Sequence, residues 1–475
     1  MLITDTSEIE LLAFSGLPPK LDAVFFGLYN AAVTKSPNAL VNPIAPKPFS
    51  LSRRGDGFAP SQYEKLGAEL VQCMAAYSKS LEKEGLPEPS LSPGLAPKTG
   101  LKSSKGLQDK ARIVELARQI LATTLDPSTS LFLSSLQFHF CACLKVVLDL
   151  KVGDNIPQHG RVSRRELADA LCVEEGLLAR VMRVVMTNHV FDEPEPGYYS
   201  HTSISWAMQG PAMHHLMRHR LGEGFRAASR EPDALRRCGY RNPAPGDPCG
   251  FNLAFGYDGT YWDYIAGVDR ERGRNFNQAM KAVTVNSLAE IPRLYPWEDL
   301  LDEDSGGDGL IVDVGGGLGQ VSRKILEAFP NAGLRCVVQD KHAVARDDTG
   351  AACLKLQQHD FFQPQPIQGA AVYHLRHILH DWPDDACVEI LRQIVPAMDP
   401  ARSRILICDQ IVQDHAPSHA SVLYDVDMMS LFNGKERTLA EFAHIFERAD
   451  PRLYVKDVRR SQESATTMIE LRLSA

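Results

Sequence analysis

The sequence predicts a doubly wound α/β domain at the C-terminus, preceded by a mainly helical region that contains a winged helix. From Leu310 onward, short apolar strands such as LIVDV, RCVVQD and RILICD alternate with amphipathic helices. This alternation is typical of a mostly parallel sheet with helices on both faces. Residues 162–202 follow the order helix, turn, helix and two short strands, which is the pattern of a winged helix. Ser163 and Glu166 have the spacing of a capping box at its first helix.

Length and composition restrict the class of protein. The 475 residues are enough for two or three domains, and the net charge of −8 argues against a dedicated nucleic-acid binder. No uninterrupted apolar run approaches the ~18 residues of a membrane span, and the N-terminus lacks the basic region of a secretory signal. The ten cysteines show no CxxC pair. We therefore expect a cytoplasmic protein that associates with neither membrane nor nucleic acid.

A glycine-rich loop follows the first strand of the predicted sheet. Glycine lets the backbone approach a ligand closely, and ligands bind at the carboxyl ends of such strands. A dinucleotide fingerprint would need a further glycine at Gln320. The observed D-x-G-x-G-x-G form suits a nucleoside with a zwitterionic tail better than a pyrophosphate. The candidate binding residues in this loop are Asp313, Gly315, Gly316, Gly317 and Gly319.

Two further elements in the α/β region fit the same ligand. Asp340 ends the second strand and follows Gly319 at the distance from which a carboxylate accepts both ribose hydroxyls. Asp360 and Phe361, in the sequence HDFF, suit an adenine amine and the face of the adenine ring. Each feature alone would also fit a turn, a surface carboxylate or a core phenylalanine. Their order along successive β/α units favours S-adenosylmethionine.

Six motifs in one order carry a family resemblance. DVGGGLG, VVQD, HDFF, LRHILHDWPDD, RILICD and NGKERT resemble those of the plant and fungal small-molecule O-methyltransferases that depend on S-adenosylmethionine. The similarity also covers FGYDGTYWDYIAGVDRERGRNFNQAM and the winged-helix region, and it extends from about residue 110 to the C-terminus. It implies a class I, Rossmann-like methyltransferase domain acting on an aromatic, hydroxylated, polyketide-like metabolite. It also implies a homodimer whose winged-helix region supplies the dimer contacts.

Changes in sequence pattern, together with the family resemblance, divide the chain into four parts. Residues 1–60 are predicted to be an N-terminal extension that is partly ordered at most. Residues 61–205 are predicted to form a helical and winged-helix dimerisation domain. Residues 206–300 are predicted to be a helical connector that lines the substrate site. Residues 301–475 are predicted to form the S-adenosylmethionine-binding catalytic domain.

The stretch HLRHILHDW contains three histidines at three-residue spacing. A helical ladder of metal ligands is one interpretation, but the segment is predicted to be a strand that runs into a loop before Pro383. No cluster of cysteines or carboxylates accompanies it, and we predict no metal site. His374 and His377 are expected to be structural. The resemblance implies that His380 is the general base, which suits an imidazole with an unperturbed pKa of ~6.5.

Three more residues take roles from the resemblance. Asp409 and Glu436 match the acids that flank and orient the catalytic histidine. A carboxylate in that position fixes the tautomer of the imidazole and stabilises its charged form, as in a catalytic triad. Asp409 stands where plant enzymes carry a longer glutamate, which leaves its contact with His380 open. Arg376 matches a cofactor-binding lysine, and a salt bridge at the strand edge is an equally open interpretation. The expected reaction is an in-line displacement by a phenolate oxygen, with no metal.

Two alternatives come from other classes. A DNA-binding regulator could use Arg161, Arg164 and Arg165, but the second helix of the winged helix is too apolar to read a groove. An inactive methyltransferase-like partner is opposed by the intact catalytic motifs. The acceptor cannot be identified from sequence, since it depends on pocket shape. Candidate lining residues, each of which could instead be core, are Phe255, Tyr261, Trp262, Phe276 and Met280.

Overall fold

The computed structural model describes residues 60–93, 100–288, 290–301, 309–341, 353–415, 417–461 and 464–474. The predicted N-terminal extension therefore lies, apart from residue 60, outside the described residues.

The N-terminal part is helical and contains a small three-stranded sheet. Its helices are α1 (Gln62–Lys83), α2 (Ser104–Thr124), α3 (Pro127–Ser135), α4 (Phe138–Asp149), α5 (Arg164–Leu171), α6 (Glu175–Met186) and α7 (Ser203–Ala207). Its strands are β1 (Val162–Ser163), β2 (Phe191–Glu195) and β3 (Tyr198–His201), in the order β1-β3-β2. Helices α5 and α6, with β1 before them and β2 and β3 after them, make the predicted winged helix. Both hydrogen bonds of the predicted capping box, between Ser163 and Glu166, are present.

The winged helix lacks the features of a DNA reader. Its second helix, α6, buries Leu178, Met182 and Val185 in the domain core, so this face cannot enter a groove. Arg161 pairs with Glu195, and Arg164 pairs with Glu175 at 2.7 Å. Two of the three arginines in the predicted phosphate-binding cluster are therefore neutralised, and the regulator alternative is not favoured.

One segment is more apolar than the sequence analysis expected. Pro127–Asp149, which comprises α3 and α4, is long and apolar enough to cross a membrane by length and composition alone, with a mean hydropathy of 1.7. The expectation from uninterrupted runs was too strict because uncharged Ser and Gln residues interrupt this segment at little cost in mean hydropathy. The side chains of Leu131 and Phe132 are 74% and 53% exposed. Exposed apolar surface of this kind is typical of a site that binds a partner.

A helical connector joins the two parts. Its helices are α8 (Pro211–His219), α9 (Phe225–Ala228), α10 (Glu231–Arg237), α11 (Gly250–Phe255), α12 (Tyr261–Asp263), α13 (Arg270–Leu288) and α14 (Ile291–Leu294). Two single π-helical turns interrupt it, at Arg220–Gly224 and Tyr264–Val268. Such turns are rare in proteins, and those that occur are often found at functional sites.

The C-terminal part is the predicted doubly wound domain. Its strands are β4 (Leu310–Val314), β5 (Arg335–Asp340), β6 (Leu354–Gln358), β7 (Val372–Arg376), β8 (Arg404–Gln410), β9 (Leu453–Arg460) and β10 (Thr466–Leu473). They form one sheet in the order β6-β5-β4-β7-β8-β10-β9, parallel from β6 to β8 and antiparallel at β10 and β9. Its helices are α15 (Gln320–Ala328), α16 (Asp384–Ile394), α17 (His419–Phe432) and α18 (Leu439–Ala449).

The strand order of this sheet determines where its ligand site lies. The strand order reverses between β4 and β7, and a ligand crevice forms at the carboxyl ends of strands at such a switch point. Strand β6, LKLQQ, was missed because its alternation of apolar and polar residues is short. The strands β4, β7 and β8 are buried on both faces. The predicted fold class is therefore confirmed.

Candidate active site

A cavity of about 850 Å³ opens at the carboxyl ends of β4, β5 and β7. The glycine loop and the HDFF segment line one side, whereas the connector helix α13 and the C-terminal helix α17 line the other. His380 lies between the two sides and lines the cavity as well. The geometry can therefore hold two ligands next to one histidine.

The glycine loop could not be built from larger residues. Gly315, Gly317 and Gly319 have φ values of 72°, 56° and 73°, in the left-handed region that favours glycine. A Cβ on Gly315 would also lie 2.4 Å from the side chain of Ile378. Asp313 is 2% exposed and accepts a hydrogen bond from the Ser322 hydroxyl at 2.5 Å. Asp313 therefore supports the loop through its hydrogen bond with Ser322 and also borders the cavity.

The predicted nucleoside-binding residues lie together around this loop. The Asp340 carboxylate accepts a hydrogen bond from the Gly317 N–H at 3.1 Å, which ties the end of β5 to the loop. Asp360 accepts from the Phe362 N–H at 3.0 Å, and the Phe361 ring lies edge-on to Trp382. All of these except Gly319 border the cavity, as do Gly316 and Arg376. At Gly317 nothing lies within 4 Å of where a Cβ would stand, so the loop backbone stays open to the cavity there, which fits the predicted donor.

His380 is held by a strong partner. It lies in a 3₁₀ turn, Leu379–Asp381, just after β7, and its Nδ1 is 2.8 Å from a carboxylate oxygen of Glu436. On the other side of the ring, Nε2 is 3.4 Å from Asp381. Glu436 is 5% exposed. The carboxylate thus fixes the ring orientation, and Nε2 is the nitrogen left to act on a bound ligand.

The NGKERT segment explains how this geometry is maintained. Gly434 packs so closely on the His380 carbonyl that a Cβ there would lie 2.2 Å from that oxygen. Arg437 is fully buried and donates to the carbonyls of Leu379 and Trp382 at 2.8 and 2.7 Å. The Arg and Gly of this motif therefore hold the backbone of the HDW turn, a role that the sequence analysis missed.

The charges around His380 are unusual. Burial by itself would lower the pKa of His380, but the carboxylates of Asp381, Glu436 and Asp409 outweigh it and raise the pKa to about 10. Burial raises the pKa of Asp381 to about 7 and that of Asp409 to about 6. The carboxylates around His380 therefore favour its protonated form.

Asp409 does not contact His380 through a hydrogen bond. The side chain is 1% exposed, and among the described residues no hydrogen bond joins its carboxylate to the His380 ring. Its influence on His380 is electrostatic only. Of the two acids predicted to orient His380, Glu436 makes the hydrogen bond.

The other two histidines differ from one another. His374 is fully buried, 3.4 Å from Asp313, and packs edge-on to Trp297 behind the loop. The expectation that His377 also belongs to the packing of the strand is wrong. Strand β7 ends before it, its φ is 51°, and its ring borders the cavity 5.1 Å from the His380 ring. Among the described residues, no group of side chains is arranged to hold a metal ion.

Aromatic residues form the wall opposite the glycine loop. Trp262 stacks on Phe432 with ring centroids 5.2 Å apart and planes 9° apart, and Phe276 packs edge-on to Trp262. Of the predicted lining residues, Trp262, Phe276 and Met280 border the cavity. Tyr261 and Phe255 belong instead to the neighbouring aromatic cluster.

Several cavity residues were not predicted from sequence. They come from α17, from the start of the first π-helical turn and from the residue after the base, and are Tyr424, Met428, Phe432, Arg220 and Asp381. Asp381 could have been found from the HDW motif, where it follows the base directly. The others carry no local signal, because only the tertiary fold brings α17 and the connector to the sheet edge.

Comparison with known proteins agrees with this geometry. Residues 133–209 match the O-methyltransferase dimerisation domain family, and residues 241–450 match the O-methyltransferase domain family. The chain is 49% identical over 418 residues to O-methyltransferase penK of Penicillium thymicola, covering 87% of this chain and 97% of the relative. It is 47% identical to O-methyltransferase OME1 of Pyricularia oryzae, covering 87% and 84%.

A solved structure supports the fold. The crystal structure of OxaC superposes with a TM-score of 0.72 at 24% identity, covering 87% of this chain and all of OxaC. OxaC has also been crystallised with S-adenosylhomocysteine (SAH) and oxaline. At this identity the likeness establishes the fold alone, whereas the fungal relatives establish the family. The chain belongs to the S-adenosylmethionine-dependent O-methyltransferases.

Proposed function

We propose that this enzyme methylates a phenolic hydroxyl of an aromatic secondary metabolite, with His380 as the general base. The observation that carries the proposal is the His380–Glu436 pair, which borders one cavity together with the glycine loop and the aromatic wall. Stacked rings such as Trp262 and Phe432 favour a flat aromatic acceptor. The fungal relatives named above are O-methyltransferases, which is consistent with this chemistry.

The donor side is assigned from the described residues. Asp340 would bind the ribose hydroxyls, Asp360 and Phe361 the adenine, and the loop Gly315–Gly317 together with Arg376 the methionine part. When bound, S-adenosylmethionine supplies a methyl group on a positively charged sulfonium. The acidic groups near His380 favour a cation in the adjoining space, which supports binding of a sulfonium there.

Proton removal is the task of His380. A phenol with a pKa near 10 is mostly protonated at neutral pH and is a weak nucleophile. His380 Nε2 takes the proton of the acceptor hydroxyl, and Glu436 on Nδ1 stabilises the imidazolium that forms. Because the cluster raises the pKa of the resting His380 to about 10, the ring must first lose its proton. A cation bound next to the ring lowers its pKa and favours that neutral state.

The proposed function is tested by a direct assay. Purified enzyme is incubated with isotopically labelled S-adenosylmethionine and a panel of phenols, and the methylated products are located by mass spectrometry and NMR. We expect O-methylation of polycyclic phenols and none of their O-methylated or deoxy analogues. Transfer to nitrogen or carbon only, or no transfer to any phenol while aliphatic alcohols react, would contradict the proposal.

The role of the carboxylate partner gives a signed pH prediction. Since His380 must be neutral to accept a proton, kcat/KM for the acceptor at saturating donor rises with pH through the pKa of His380. Glu436 raises that pKa, so Glu436→Gln should move the rising limb about one to two units to lower pH while reducing the maximal rate. The pH profile of initial rates measures both effects.

The matched control for that experiment is Glu447→Gln, an exposed carboxylate on α18. Its profile should superpose on the wild-type profile. A limb that stays in place in Glu436→Gln would show that Glu436 does not set the charge state of the base.

We also propose that the chain is a homodimer held through α3 and α4. The dimerisation-domain match covers all of α4 and the last three residues of α3, and a second copy would bury a surface that is otherwise only 17% buried over its most apolar window. Phe138→Asp, at a 53% exposed site of α4 inside the match, should convert a species of twice the 52.5 kDa chain mass to one of the chain mass in sedimentation or light scattering. Val268→Asp, at a 61% exposed site outside the match, is the control. A monomeric wild type that floats with lipid vesicles would contradict the proposal.

A further inference from the structure

Arg220 is a charged residue in the cavity wall, near both the Tyr424 ring and the carboxylate of Asp381. It is the first residue of the π-helical turn Arg220–Gly224, directly after α8, and its side chain is only 23% exposed. It borders the same cavity as Trp262 and His380. Burying an arginine costs free energy unless its N–H donors form hydrogen bonds. Its position in the cavity wall therefore favours a bound ligand in addition to a partner within the protein.

Part of the guanidinium is held by α17. Asp427 forms an ion pair with Arg220, and the Tyr424 ring lies 5.6 Å from the guanidinium carbon. Gly224 makes room for this pair, since a Cβ there would lie 3.2 Å from the Asp427 carboxylate. The guanidinium has five N–H donors in a planar fork, and one carboxylate does not use them all. The contacts fix the plane of the fork and leave donors for a further oxygen.

The charge of the surroundings selects the kind of oxygen. The Arg220–Asp427 pair is neutral as a unit, and Arg220 and Asp381, which both border the cavity, attract each other. With Glu436 and Asp409 also near His380, this end of the cavity is rich in carboxylates. A carboxylate ligand would be repelled there. An uncharged carbonyl oxygen can accept from the fork without that penalty.

We propose that Arg220 binds a ring-conjugated carbonyl oxygen of the acceptor and thereby orients the hydroxyl toward His380. The acceptor class is then a hydroxylated aromatic ketone, quinone or lactam, with the carbonyl on the same fused ring system as the reacting hydroxyl. This inference rests on the proposed function, because it names the substrate class of the same site. Arg220 acts here as a specificity-determining residue, and Asp427 as the residue that positions it.

The test compares two probes that differ in the carbonyl groups. Binding of a hydroxyanthraquinone and of the hydroxyanthracene with the same ring skeleton is measured by titration calorimetry, with S-adenosylhomocysteine present so that no turnover is needed. A hydroxynaphthoic acid serves as the carboxylate probe. The wild type should bind the quinone about 10- to 100-fold more tightly than either of the others.

The variants isolate the role of the fork. Arg220→Lys keeps the charge but loses the planar fork, and Arg220→Gln combined with Asp427→Asn removes the pair without leaving a buried charge alone. In both we expect the preference for the quinone to fall to within about threefold, while affinity for S-adenosylhomocysteine is unchanged. Arg226→Gln is the matched control, since Arg226 stacks on Phe255 away from this cavity.

The outcomes separate this inference from the proposed function. Equal binding of the probes by the wild type, a stronger preference for the carboxylate probe, or a preference that survives in both variants would overturn the inference. Loss of the preference in the variants, together with no methyl transfer to any phenol, would support the role of Arg220 and refute the proposed reaction.

Discussion

His380→Ala should lower the rate of methyl transfer by about 100- to 10,000-fold, the range by which a positioned general base accelerates proton transfer. His380 borders the cavity, and the groups beside it are carboxylates and the imidazole of His377, whose ring lies 5.1 Å away. Affinity for the donor should change little, because the predicted donor contacts lie on the glycine loop and β5. Single-turnover rates with a phenol found in the labelled-donor assay, and calorimetry with the donor, measure the two quantities.

Two further variants keep that result interpretable. His380→Gln preserves much of the side-chain volume and should be as slow as His380→Ala, which separates chemistry from packing. His444→Ala, at an exposed histidine of α18, should retain full activity. Turnover of His380→Ala within a few-fold of the wild type would remove His380 from the role of base.

Asp340→Ala should weaken binding of S-adenosylmethionine about 100-fold, equivalent to ~3 kcal/mol, because it removes charged acceptors for ribose hydroxyls. It also removes the carboxylate that holds the Gly317 N–H at 3.1 Å, so the loop loses its anchor on β5. The rate at saturating donor should fall less than the affinity. Calorimetric titration with the donor and with S-adenosylhomocysteine measures the loss.

The conservative change distinguishes binding from loop support. Asp340→Asn keeps an acceptor for the Gly317 N–H but loses the negative charge, and it should lie between wild type and Asp340→Ala. Asp385→Ala, on an exposed side chain at the start of α16, should bind the donor normally. Unchanged donor affinity in Asp340→Ala would refute the ribose assignment.

Most of the fold could be predicted because its signals are local. The strand LIVDV, its glycine loop and the capping box at Ser163 each follow from short-range sequence patterns, and the structure has all three. The short strand β6 and the division of residues 104–149 into three helices were not predicted, since marginal elements depend on their neighbours. The domain boundaries and the cytoplasmic location remain predictions.

The candidate site was predictable where the motif itself carries the chemistry. His380, Glu436 and the loop glycines are adjacent to their signals in sequence, and the structure brings them to one cavity. Arg220 and Phe432 could not be found, because they lie 160 and 52 residues from His380 in sequence and meet the cavity only through packing of the connector and α17. The position of His377 was predicted wrongly because its backbone is left-handed, with a φ of 51°. No local sequence pattern indicates that conformation for a histidine.

The π-helical turn at Arg220–Gly224 has an evolutionary consequence. A π turn corresponds to one extra residue accommodated within an α-helix. Loss of a single residue from this turn would restore an α-helical register and rotate Arg220 by about 100° around the helix axis, away from Asp427. Acceptor preference could thus be gained or discarded in one mutational step, with the donor loop and the base untouched.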